Sequence, residues 1–154
     1  MHHYQSILVA VDFSDHSSQA LARAIQLAGF YNATLDVIHV VDVPTYPVLE
    51  DVAVTGLPGV WDPELTETIM QNAHQNLNKL LSQHGLSEHR AHLVNGIPED
   101  EILRFSDQHA IELIVMGRHG LRGWQRLLGS TTDSVLHNAT CDVLTVKTDK
   151  EQNR

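Results

Sequence analysis

Hydrophobic positions in this chain alternate between two spacings. Ile7-Leu8-Val9-Ala10-Val11 is an unbroken apolar run, which predicts a strand over Ser6–Val11 buried on both faces. Asp12-Phe13-Ser14-Asp15 then supplies residues that turn or cap. From Ser17 to Phe30 the small and apolar residues Ala20, Ala24, Leu27 and Ala28 fall on one helical face. Leu35, Val37, Ile38 and Val40 predict a second strand over Thr34–Val41. Asp42 to Asp62 is punctuated by proline and glycine and reads as a long loop, a lid or partner surface or else a seal on the core.

The helical spacing returns at Pro63–His84, through Leu65, Ile69, Ala73, Leu77 and Leu80-Leu81, and Gly85 is its stop. His89–Val94 is a weaker strand. Pro98 opens a helix that runs through Ile102 and Phe105 toward His109. Ile111–Met116 is a fourth strand, Thr131–His137 a further helix and Val143–Val146 a fifth strand. Five strands alternating with four helices predict an α/β fold in a single domain over residues 1–154, with a polar tail from about residue 148.

Composition narrows the function classes. With 19 acidic and 10 basic residues the formal charge is −9, which disfavours a nucleic-acid footprint. No apolar run reaches the roughly 18–20 residues of a spanning helix, and the N-terminus lacks a secretory apolar region. The expected location is cytoplasmic, with no membrane partner. Cys141 is the only cysteine, so no internal disulfide can form, and its place at the start of an apolar run suits packing.

The most informative chemistry follows the fourth strand: Gly117-Arg118-His119-Gly120, then Gly129-Ser130-Thr131 opening a helix. Glycines at a strand–helix junction let backbone N–H groups approach an anion, and a helix N-terminus adds further donors and a favourable dipole. Phosphate is the natural candidate, with Ser130 or Thr131 as hydroxyl donors. Ser130 followed by Asp133 also resembles a capping box, which would spend the same hydroxyl on the helix. The pattern is neither the early dinucleotide-binding fingerprint nor a loop ending Gly-Lys-Ser/Thr. Arg118, Arg122 and Arg126 are the nearby cations. Asp12, at the end of the first strand, can meet a base or sugar or satisfy its own turn, and the Val41 backbone can supply base-edge hydrogen bonds.

Three segments together resemble a universal stress protein: Ile7-Leu8-Val9-Ala10-Val11-Asp12-Phe13-Ser14, Val94-Asn95-Gly96-Ile97-Pro98, and Gly117 to Ser130 ahead of Cys141-Asp142-Val143-Leu144. The resemblance covers residues 5 to 148. It implies an open five-stranded parallel sheet in the order 3-2-1-4-5 with helices on both faces, and a homodimer. It places adenine near Asp12 and Val41. Ribose and phosphates fall near Met116, Gly117, Gly120, Gly129, Ser130 and Thr131, with Mg²⁺ or Mn²⁺ accompanying ATP in members that bind it; from their place in the same segment, Arg118 can offset phosphate charge and His119 can contact phosphate or turn to solvent. Gly120 and Gly129 enclose eight residues, one fewer than the family's nucleotide-binding pattern.

Eleven histidines form no local ligand pattern, although His119 sits inside the glycine segment. No metal ligand set or catalytic base is identifiable. The expected function is a stress-response protein that binds ATP and signals through conformation or protein contacts. The alternatives are a nucleotide-free dimeric scaffold, paired through the C-terminal strand, and a weak metal-dependent ATPase.

Overall fold

The computed structural model describes residues 3–42, 63–119 and 128–148. Its strands are β1 (Ser6–Ala10), β2 (Thr34–Val41), β3 (Ala91–Asn95), β4 (Leu113–Gly117) and β5 (Asp142–Val146). Its helices are α1 (Asp15–Tyr31), α2 (Pro63–Gln83), α3 (Pro98–Gln108) and α4 (Ser130–Asn138), with a short 3₁₀ turn at Glu88–Arg90. The predicted loop at 42–62, apart from Asp42, lies outside the described residues, as do Gly120, Arg122, Arg126 and the tail beyond residue 148.

All strand pairs are parallel and the order is β3-β2-β1-β4-β5. The expected architecture is therefore the observed one. Strand alternation sorts the core into two layers. Ile7, Val9, Val37, Leu113 and Val115 pack under α1 and α2, against Ala20, Leu21, Ala24, Leu77 and Leu81. Leu8, Ile38, Ile114 and Met116 face α3 and α4, against Ile102, Phe105 and Val135. Both faces of β1 and β4 are covered, which is why their sequences are continuous apolar runs rather than alternating ones.

The element ends differ from expectation by a few residues, each for a local reason. Helix α1 starts at Asp15 because Ser14 caps it: the Ser17 N–H donates to Ser14 Oγ at 3.2 Å. It ends at Asn32, whose left-handed conformation (φ 54°) lets its N–H reach the Ala28 carbonyl. β3 begins at Ala91 because Glu88–Arg90 closes a 3₁₀ turn, with the Arg90 N–H donating to Ser87 O at 3.2 Å. β4 begins at Leu113 because Ala110 is left-handed (φ 49°) as the chain leaves α3. In α2, Ala73, Leu77 and Leu81 are buried, whereas Leu65 and Ile69 on the same stripe are exposed. Among the described residues no helix is long and apolar enough to cross a membrane.

Candidate functional site

β1 is flanked by β2 and β4, so the carboxyl ends of three strands converge. Val9 pairs with Val37 on one side and Val115 on the other. Asp12, Val41 and Gly117 therefore stand at one end of the sheet. Between β1 and β4 the chain order reverses, and open α/β sheets place ligands outside the strand ends at such a reversal.

Asp12 anchors the first turn. Its Oδ1 accepts from the Ser14 N–H at 3.0 Å and from the Ser14 hydroxyl, while Ser14 Oγ in turn caps α1. The turn role foreseen for Asp12 is thus realised through one carboxylate oxygen. Phe13, between them, is left-handed (φ 63°), a conformation that costs a bulky residue about 1–3 kcal/mol and collects at functional sites. Its ring lies 4.3 Å from that of His39, whose Nδ1 donates to the Val11 carbonyl at 2.7 Å. Val41 is buried, and its carbonyl already accepts from the Gly96 N–H at 3.1 Å.

Gly117 is required by packing. A Cβ there would lie 2.9 Å from the His16 carbonyl carbon and Cβ and 3.0 Å from its carbonyl oxygen, so the first turn of α1 rides directly on the end of β4. The Gly117 carbonyl accepts from Thr132 Oγ1 at 3.0 Å, which draws the start of α4 to the same point. The Arg118 N–H donates to Val146 O at 2.9 Å and its carbonyl accepts from the Gly129 N–H at 3.1 Å. These bonds clamp the two ends of the glycine segment together and tie them to β5. They also commit the Arg118 N–H to the sheet rather than to an anion. His119 is buried, its ring edge-on to His16 at 5.3 Å.

The capping-box expectation for Ser130 and Asp133 is not met. The cap is Gly129, because its carbonyl accepts the first helical bond, from the Asp133 N–H at 2.9 Å. Ser130 is the first helical residue, and glycine brings no side chain to bond the helix N-terminus. α4 thus opens without a side-chain cap beside Gly117. Asp133 is exposed, its Oδ1 3.7 Å from His137 Nδ1 one turn on. Glu99 also approaches the helix start, its Oε2 3.5 Å from Thr131 Oγ1.

The structure thus brings Asp12, Val41, Met116, Gly117, Arg118, His119, Gly129, Ser130 and Thr131 to the carboxyl end of the sheet, and Gly120 is outside the described residues. Sequence reasoning missed His16, Thr132, Glu99 and the Phe13–His39 pair. Glu99 had a weak signal as an acidic first-turn residue after Pro98. The others depend on contacts between distant segments and carry none. Among the described residues no group of three or more His, Cys, Asp or Glu is placed to hold a metal ion.

Comparison with known proteins agrees with this fold. The Universal stress protein family model matches residues 3–147. Universal stress protein A homolog 1 of Coxiella burnetii is 36% identical over 145 residues, covering 94% of this chain and 96% of that protein. The structure of UspA from Lactobacillus plantarum superposes with a TM-score of 0.72 at 29% identity, covering 95% of this chain and 99% of the other. A universal stress protein solved in complex with cAMP gives 0.61 at 27% identity, with coverage of 95% and 98%. The chain belongs to the universal stress protein family.

Proposed function

We propose that this universal stress protein binds an adenine nucleotide, ATP first, in the crevice where β1 and β4 end. The observation that carries the reading is the start of α4. A helix N-terminus with no side-chain cap among the described residues stands directly against Gly117, and phosphate suits the first-turn N–H groups, which have no intrahelical acceptor, and the helix dipole. Ser130 and Thr131 are the hydroxyl donors, and Arg118 supplies positive charge. Asp12 and the peptide groups at Val41 address the base and sugar. Mg²⁺ or Mn²⁺ would enter with the phosphates, whose oxygens supply its ligands, since no metal-holding group stands among the described residues. Bound nucleotide changes the protein's affinity for partners in the stress response, provided it binds two conformations unequally. The cAMP complex of a relative makes cyclic adenylate a ligand to test beside ATP.

The test is calorimetric titration of nucleotide-stripped protein with ATP and Mg²⁺, then with cAMP, and with GTP as the comparison. Saturable binding selective for adenine supports the reading. A folded protein that takes none of the three overturns it.

A second reading, a nucleotide-free dimeric scaffold, is favoured by two observations. One carbonyl lone pair of Val41 and Asp12 Oδ1 are already engaged within the chain. β5 is also an edge strand, beside a groove of about 530 Å³ lined by Gln19, Arg23 and Gln26 of α1 and by Leu144, Thr145 and Lys147. Pairing of two β5 edges would satisfy the open backbone and cover that groove. Sedimentation of the same stripped protein reads this directly: a dimer that forms without nucleotide supports the scaffold.

A further inference from the structure

A second constellation lies on the α3 face, away from the glycine segment, and has no part in the nucleotide reading. Asp36 of β2 is buried and carries a carboxylate on an otherwise apolar layer. Its Oδ1 accepts from His92 Nε2 at 2.9 Å, and Arg90 Nη1 reaches its Oδ2 at 3.5 Å. The ring of His92 lies 4.4 Å from that of Phe105, which is stacked on His109 at 3.9 Å and 14°. His109 Nδ1 bonds the Phe105 carbonyl at 3.0 Å. The two imidazole centres are 6.1 Å apart.

The hydrogen bonds fix both tautomers. A carboxylate and a carbonyl oxygen only accept, so His92 carries its proton on Nε2 and His109 on Nδ1. In its neutral form each ring keeps one nitrogen lone pair, on Nδ1 of His92 and Nε2 of His109. Metal-bound histidines have the same arrangement, with the far N–H held by a carboxylate or a backbone carbonyl. With metal–nitrogen bonds of about 2.0–2.1 Å, two imidazoles that share one ion have centres roughly 5–6.5 Å apart. Phe105, touching both rings, limits their rotation. The His92 side chain is 28% exposed and His109 is exposed, so an ion has access and water can complete its shell.

We propose that His92 and His109 form a two-histidine site for a borderline divalent transition metal, with water as the remaining ligands. Imidazole suits Cu²⁺, Zn²⁺ and Ni²⁺ and not Mg²⁺, and Cu²⁺ binds tightest of these. The ion would join the start of β3 to the end of α3. The Arg90 charge opposes it in part, so the affinity is modest.

The experiment uses the full chain with His2→Ala and His3→Ala, which removes the N-terminal pair as a competing site. Zn²⁺, Ni²⁺ and Mg²⁺ are titrated calorimetrically, and melting temperature is followed with each. The expected result is one Zn²⁺ or Ni²⁺ per chain, a raised melting temperature, and no response to Mg²⁺. His109→Ala, at an exposed position, should keep the metal-free melting temperature within a few degrees while affinity falls at least tenfold. In a spectrum of ¹⁵N-labelled imidazoles, Zn²⁺ should move the His92 Nδ1 and His109 Nε2 signals. Equal affinity in His109→Ala, or no binding of Zn²⁺ or Ni²⁺ up to millimolar concentration, overturns the proposal.

Discussion

Substitution of Gly117 by alanine separates what this glycine does for the fold from what it does for a ligand. The added methyl would lie 2.9–3.0 Å from backbone and Cβ atoms of His16, closer than such atoms can sit, and the neighbour is a helix turn rather than a flexible side-chain tip. Overpacking of this kind costs about 1–3 kcal/mol. Loss of glycine's freedom in the unfolded chain returns about 0.4–1 kcal/mol. The net is a destabilisation of about 1–2 kcal/mol, and at roughly 2–4 °C per kcal/mol for a domain of this size the melting temperature falls about 2–8 °C. Gly29 is the internal control. It lies on the exposed side of α1, nothing comes within 4 Å of its added Cβ, and its φ needs no glycine. Gly29→Ala should therefore stabilise, by about 0.5–1 kcal/mol. Thermal melts of both variants without nucleotide, read by circular dichroism, make the comparison. If Gly117→Ala melts with the parent protein, the close approach to His16 does not constrain this position and the packing argument is wrong.

Glu99 sets a carboxylate beside the start of α4, so Glu99→Gln should tighten ATP binding by about 1 kcal/mol, roughly fivefold in Kd, with a smaller gain at high salt. Calorimetry at two salt concentrations checks it, and an unchanged Kd counts against phosphate at this helix end. The Tyr4 phenol donates to Asp142 Oδ2 at 2.7 Å, and chiefly that bond pushes its pKa up to about 12. The folded chain thus holds a proton that the unfolded chain loses near pH 10, so this contribution to stability is complete below pH 10 and is lost by about pH 12. Phenolate absorbance should show the high titration, and Asp142→Asn should bring it back toward 10. Burial raises the Cys141 thiol pKa, so its reaction with a thiol reagent near neutral pH should be much slower than that of a free cysteine and should accelerate as pH rises. Ser14→Ala removes the cap of α1 and an Asp12 partner together and should cost about 1–2 kcal/mol in denaturant unfolding.

The layers of the fold were legible because both faces of the central strands are covered. Ile7-Leu8-Val9 and Leu113-Ile114-Val115 could only be buried strands, and each helix kept an apolar stripe. Strand order came from family resemblance, since periodicity does not say which strand neighbours which. In the site, the glycine junction was readable as a local pattern, but its cap was misplaced by one residue. Ser130 looks like a cap in sequence, and only the carbonyl that accepts from Asp133 shows that Gly129 holds the place. His16 against Gly117, Thr132 bonded to the same glycine, and Glu99 near Thr131 join segments far apart in the chain, so no local spacing could reveal them.

The position of β1 also bears on how the protein is made. β1 pairs with β2 through Ser6–Thr34 and its neighbours, but its other edge is completed only by residues 113–116. A chain emerging from the ribosome can therefore form β1, α1 and β2 while the apolar edge of β1 stands open, and the partner that closes it is made late. Such an edge is a template for wrong pairing, and the long sequence separation slows correct closure. The crevice between β1 and β4 has no walls until that closure occurs. Any ligand it takes can therefore stabilise only chains in which β4 has already docked against β1.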